Sequence, residues 1–299
     1  MQPLCYNEIM NIVMFAAIFG FLGLVFGSFA GAQVWRLRAR QLRDDKAKKE
    51  LYDKVEFAAL KPLLGKTGAR DRSRCLHCHH VLAWYDLLPL VSWLSTRGKC
   101  RYCHKPIGWF EPIIELLLAV AFAVSYIFWP WALAGIGWLL FALWLVSLVL
   151  LAILVAYDAK WSLLPDKINA VYALVALIFV VVRYFVVGDV VIWSLVGSLV
   201  IMAGIYLVLS VVSKGAWIGQ GDVKLGVGLG LALANWQAAF VALFLANFIG
   251  CLVVLPGLLS KKLKPNSEIP FGPLFVLGTF IAFFASQHLI SWLFTIAIF

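Results

Sequence analysis

Residues 131–158, WALAGIGWLLFALWLVSLVLLAILVAYD, run without a charge until they reach Asp158. A helix needs about 20 consecutive apolar residues to cross the hydrocarbon core of a bilayer. In lipid the backbone must satisfy its own hydrogen bonds, so such a run reads as a helix. Comparable runs lie at roughly 11–35, 112–129, 166–186, 189–213, 222–234, 236–259 and 270–298. With 131–157 they predict an all-α polytopic membrane protein of about eight transmembrane helices. Composition agrees: of 299 residues, 63% are hydrophobic and 13% charged, a balance foreign to a soluble globule. The run at 222–234 is the shortest, and its glycine-rich part, GVGLGLALA, predicts close packing or tilt. The first run is too long for a signal-peptide core, lacks a basic start and is followed by charge, so it reads as a retained span.

The net charge of +10 is unevenly spread: 17 of the 25 Lys and Arg fall between Arg36 and Lys105. One basic block therefore interrupts an apolar chain, and no nucleic-acid partner is expected; the expected partner surface is the lipid bilayer. The remaining positive charges fall in alternate connections: Lys160 and Lys167, then Lys214 and Lys224, then Lys261, Lys262 and Lys264. Arg183 is the mild exception. The positive-inside rule places these connections in the cytoplasm and both termini outside. The expected organisation is a first transmembrane helix (1–37), a cytoplasmic basic segment with a cysteine module (38–110), and a transmembrane core (111–299). Within the basic block, 38–73 is rich in helix-forming charged residues and reads as an exposed or surface-lying helix.

Cys75, Cys78, Cys100 and Cys103 form two C-x-x-C pairs. Two residues between thiols let one tight turn aim both sulfurs at one ion, and two such turns build a tetrahedral zinc cage. A metal would stabilise so small a module directly. The alternatives are two disulfides, which a cytoplasmic location disfavours, or spectator thiols. His77, His79, His80 and His104 lie close by as surface or supporting residues. Cys5 and Cys251 are isolated small residues.

Few acidic residues fall in or at the later spans: Glu111, Glu115, Asp158, Asp166, Asp189, Asp222 and Glu268. Ionisable groups at membrane depth are costly and read as functional by default. Asp189 and Glu268 sit in connections, where a solvated role suits them. Glu111 and Glu115 open a helix, where acidic groups meet the dipole favourably. Asp158 ends one span and Asp222 opens another at the same cytoplasmic depth. Gly219 and Gly221 clear side chains from around Asp222 and let a substrate strand approach. Two adjacent carboxylates suit peptide hydrolysis: one serves as base toward water while the other protonates the carbonyl oxygen or leaving nitrogen. Asp166, after Pro165, reads as a helix-start or positioning residue, and Lys224 follows Asp222 as a further positioning candidate.

These motifs resemble the type IV prepilin peptidases, intramembrane aspartyl proteases of the GxGD kind. GSFAGAQVWRL near the first span, the module CLHCHHVLAWYDLLPLVSWLSTRGKCRYCHKPIGWFEPIIEL, YDAKWSLLPD, GQGDVKL and IPFGPLFVLG are each similar to a family segment. The resemblance implies a multi-pass protein of the bacterial inner (cytoplasmic) membrane that cleaves the short basic leader of prepilins or pseudopilins, with Asp158 and Asp222 at the catalytic positions. It also implies N-methylation of the new N-terminus from S-adenosylmethionine, with Gly98 in a segment associated with that step. Gly31 and Arg38 stand where the family usually has Asn and Pro, and the charged stretch 39–73 is longer than the family pattern. The rival reading is an ion-coupled transporter or channel in which the two aspartates relay ions and the zinc module regulates.

Overall fold

A computed structural model describes residues 6–64, 72–260 and 269–297. The chain divides into two compact units, residues 1–127 and 128–299.

In the first unit, α1 (Tyr6–Lys48) is one helix of 43 residues. The charged part of 38–48 does not leave the helix, because Arg, Gln, Leu and Lys are good helix formers. Its last turns pack on α2 (Lys54–Leu60) through Ala39, Leu42 and Leu60. Asp53 caps α2 by accepting the backbone N–H of Val55 at 2.8 Å and of Glu56 at 3.0 Å. Arg38 donates to Glu56 at 2.6 Å and ties the two helices together. The cysteine module follows, with one short helix, α3 (Val91–Ser95). The unit closes with α4 (Phe110–Ile127). Along α1, Gly23 and Gly27 face α4 so closely that an added Cβ would lie 2.6 Å from Ala119 Cα and 2.5 Å from Glu115 Cα respectively. Small residues at four-residue spacing bring two backbones together where lipid supplies no hydrophobic drive.

The second unit begins with α5 (Gly137–Trp161) and α6 (Asp166–Val186). Next come α7 (Ile192–Leu199), a π-helical turn at Val200–Gly204, and α8 (Ile205–Val212), which together form one apolar length. The unit ends with α9 (Gln220–Leu233), α10 (Trp236–Leu259) and α11 (Gly272–Ala297). Glycines let α9 sink among its neighbours. Gly226 lies against the backbone of Met202 in the π turn, Gly228 against the Tyr172 ring, and Gly230 against the backbone of Ser198 and Leu199. Leu225 and Leu229 are fully buried in the same cluster.

Among the described residues, six helices are long and apolar enough to cross a membrane: α1, α4, α5, α6, the α7–α8 length and α10. The apolar part of α11 whose side chains are described is shorter, Gly272–Ser286. These helices and the cysteine module agree with the expected all-α polytopic class. The span expected at 222–234 is the 14-residue α9. At 1.5 Å per residue it covers about 21 Å, short of a hydrocarbon core of about 30 Å. Glu268, Lys261, Lys262, Lys264 and Cys5 lie outside the described residues.

Arg183, the exception to the charge pattern, is 6% exposed. It donates to the carbonyls of Ala232 and Leu233 at 3.2 and 3.3 Å, capping the end of α9, and pairs with Asp189 at 3.0 Å beneath the Trp131 ring. Its charge is spent inside the bundle, so it carries no topological signal. Asp189, an exposed residue of the α6–α7 connection as expected, is also its counter-ion.

Candidate active site and four-cysteine centre

Asp158 sits one turn before the end of α5 and is buried, at 5% exposure. Its Oδ2 accepts the backbone N–H of Gly272, the first residue of α11, at 2.9 Å. An added Cβ at Gly272 would lie 2.7 Å from that same oxygen. Only glycine lets the chain close on the carboxylate in this way. Asp222, half-buried in the first turn of α9, lies near enough for its charge to interact with that of Asp158. Gly219 is the cap residue of α9, and the space beside it opens onto Asp222 Oδ2, 3.8 Å from an added Cβ. Gly221 packs against the side chain of Leu164.

Three further side chains brace this end of the unit. Asn169 of α6, 2% exposed, donates to the Gly221 carbonyl at 3.2 Å. Lys224 donates to Asp166 at 2.6 Å, linking α9 to the start of α6; with the partners 47% and 71% exposed, the pair contributes little to stability. Tyr206 of α8 is buried, with its ring against Phe271 and Phe275 and its hydroxyl within charge range of Asp222. The sequence reading missed Gly272, Asn169 and Tyr206 as site residues. The available signals were a glycine before a helix-starting proline and lone polar residues in apolar runs.

In the first unit, the two C-x-x-C loops are near copies. The Cys75 N–H donates to His80 O and the His79 N–H to Cys75 O, both at 3.0 Å. In the second loop the Cys100 N–H donates to Lys105 O at 2.8 Å and the His104 N–H to Cys100 O at 2.9 Å. His79 and His104 both take φ of +57° to close the turns. The four sulfurs lie within 4.8 Å of one another, and those of Cys75 and Cys103 are 3.9 Å apart. Tetrahedral coordination with metal–sulfur bonds of about 2.3 Å sets sulfurs about 3.8 Å apart, so the four cysteines can hold a metal ion. Burial raises the Cys100 thiol, but backbone N–H groups of Cys103 and Tyr102 outweigh it and bring it to about 7. Burial pushes Cys75 up to about 12. None of the four nearby histidines belongs to the cluster; His80 stacks on Tyr102 at 3.7 Å.

Comparison with known proteins identifies the family. Residues 21–129 match the bacterial peptidase A24 N-terminal domain, and residues 145–255 match the type IV leader peptidase family. A prepilin leader peptidase/N-methyltransferase from Aeromonas hydrophila is 31% identical over 291 residues, 94% of each chain. The chain belongs to the type IV leader peptidase family. A protein of the same description from Stutzerimonas stutzeri is 29% identical over 87% of each chain. The type 4 prepilin-like proteins leader peptide-processing enzyme of Escherichia coli O78:H11 is 30% identical, covering 86% of this chain and 88% of its own. No solved structure matches. The family segments include Asp158, Asp222 and all four clustered cysteines, and they favour a peptidase over the transporter reading.

Proposed function

We propose that Asp158 and Asp222 are the catalytic pair of a membrane prepilin peptidase. Membership of the family makes the chain an enzyme that cleaves the leader from type IV prepilin-like proteins and N-methylates the product. The observation that supports the residue assignment is the convergence of three helix ends, those of α5, α9 and α11, on two mutually interacting carboxylates. In this reading one carboxylate takes a proton from the attacking water and the other protonates the carbonyl oxygen or leaving nitrogen. Like charges so close share a proton and titrate as a pair. Gly219 leaves room beside Asp222 for an extended substrate, Gly221 instead lets α9 close on Leu164, and Lys224 with Asp166 positions the start of α9.

Prepilins or pseudopilins are the substrates, S-adenosylmethionine is the methyl donor, and Gly98 lies in the methyl-transfer segment. Cys75, Cys78, Cys100 and Cys103 hold structural zinc, whose four thiolate ligands leave no open position for catalysis. The protein resides in the bacterial inner membrane with both termini outside.

The test is incubation of purified protein with a prepilin in detergent, with and without methyl donor, read by mass spectrometry. Loss of the leader and gain of one methyl group are expected, and an intact leader contradicts the peptidase reading. Metal analysis of a Cys75→Ala/Cys78→Ala variant is expected to show loss of about one zinc per chain.

A further inference from the structure

Tyr206, beside the aspartate pair, carries a hydroxyl that packing does not explain. The α7–α8 length and α9 run antiparallel and meet at a regular spacing. Ser198 faces Gly230, and its Oγ donates to the Gly230 carbonyl at 2.9 Å. One turn further along, the backbone of Met202 lies against Gly226. Residues four apart share a helix face, so the next pair in this register is Tyr206 and Asp222. The charge of Asp222 acts on the Tyr206 hydroxyl, as that register requires.

Tyr206 is 6% exposed. Its ring packs on Phe271 and Phe275, with centroids 5.5 and 5.2 Å away. Phe271 directly precedes Gly272, whose N–H holds Asp158. One ring therefore touches the segment that holds Asp158 and faces the turn that carries Asp222. Its hydroxyl is buried and has no hydrogen-bond partner among the described residues. Asn247 of α10 stands beside it, but the Asn247 amide donates to Leu243 O at 2.8 Å. A buried hydroxyl without a partner costs stability. Phenylalanine would fill the same space, keep both ring contacts and remove that cost. The hydroxyl is a liability to the fold, and the group it faces is one of the two carboxylates assigned to catalysis.

We propose that Tyr206 is a positioning residue for Asp222, its hydroxyl donating to that carboxylate in the reacting complex and holding it ionised to take the proton from water. The assignment rests on the paired-aspartate reading above and sharpens it, because it makes Asp222 the base and leaves Asp158 as the acid. An ionised carboxylate only accepts hydrogen bonds, and a phenol O–H is a donor that suits it. A donor aimed at the charged form favours that form. Catalytic hydrogen bonds are often long outside the reacting complex and tighten within it.

The test compares purified full-length wild type, Tyr206→Phe and Asp222→Asn in detergent, with prepilin cleavage kinetics and the thermal unfolding midpoint measured on each. Methyl transfer to prepilin already cleaved reports that each preparation is folded. Tyr206→Phe is expected to lower kcat about ten- to hundredfold, the range of a hydrogen bond to a charged group. KM is expected to stay unchanged, the pattern of an interaction made only in the transition state. The unfolding midpoint is expected at or above that of wild type, since the variant removes an unpaired hydroxyl. A residue that only packs gives wild-type kcat in this variant. That result, beside an inactive Asp222→Asn, overturns this assignment alone. A lowered midpoint would show that the fold itself uses the hydroxyl, and would overturn it too. Undiminished cleavage by Asp222→Asn removes the paired-aspartate reading and takes this assignment with it.

Discussion

Gly272 shows how one missing side chain can define a site. Its N–H reaches Asp158 at 2.9 Å, and a methyl group in its place would stand 2.7 Å from the same carboxylate oxygen. Gly272→Ala keeps the N–H but forces the carboxylate or α11 to move by several tenths of an ångström. Small misplacements of reacting groups can cost on the order of a hundredfold in rate. Leader cleavage is expected to fall roughly ten- to hundredfold, with metal content unchanged because the cysteines lie in the other unit. A wild-type cleavage rate would show that this contact does not hold Asp158 in place. Both aspartates stood out in the sequence because an ionisable group after 27 uncharged residues, or within a glycine-flanked motif, has few structural excuses. The partners of Asp158 did not. Gly272 is 114 positions away, and a single sequence has no local pattern that registers a contact across that separation.

At the scale of elements, the cysteine module was legible in its ligands and opaque in its scaffold. The two C-x-x-C spacings predicted paired turns, and the structure shows near-identical loops. The second loop is tied to the segment between the loops by Asp86, which accepts the Ala83 N–H at 3.1 Å, the Tyr102 hydroxyl at 2.9 Å and Arg101 Nε at 3.0 Å. Burial works against its charge, but those three donors hold the carboxyl below its ordinary value of 3.8. A depressed carboxylate stabilises the fold above its unfolded pKa, and that contribution disappears as pH falls through the folded pKa. Asp86→Asn is expected to destabilise the module by about 1–2 kcal/mol near pH 6, since Arg101 is half-exposed and its share is screened. Amide exchange across residues 84–103 measures this. The gap between wild type and variant is expected to close below pH 3.8, whereas an equal gap at pH 6 and pH 3 would rule out the charged role. The π turn at Val200–Gly204 is a harder case. The apolar run around it reads as ordinary helix, and the widened turn lies where Gly226 of α9 meets the Met202 backbone.

For the whole molecule, hydropathy located every long apolar helix among the described residues, because span length is set by the bilayer and needs no tertiary information. It was least informative where the bundle departs from simple crossing: α9 is too short, and its burial comes from glycine packing rather than from length. The charge pattern carries an expected orientation, and the structure explains its one irregularity, since Arg183 serves as an internal cap. The proposed cleavage depends on two carboxylates from distant helices acting as one unit. The most direct measurement compares prepilin cleavage by wild type, Asp158→Asn and Asp222→Asn, each purified with its metal intact. Each single variant is expected to lose cleavage by roughly 10²–10⁴-fold, the contribution of a positioned acid or base, while retaining methyl transfer to prepilin already cleaved. Undiminished cleavage by either variant would contradict the paired-aspartate mechanism.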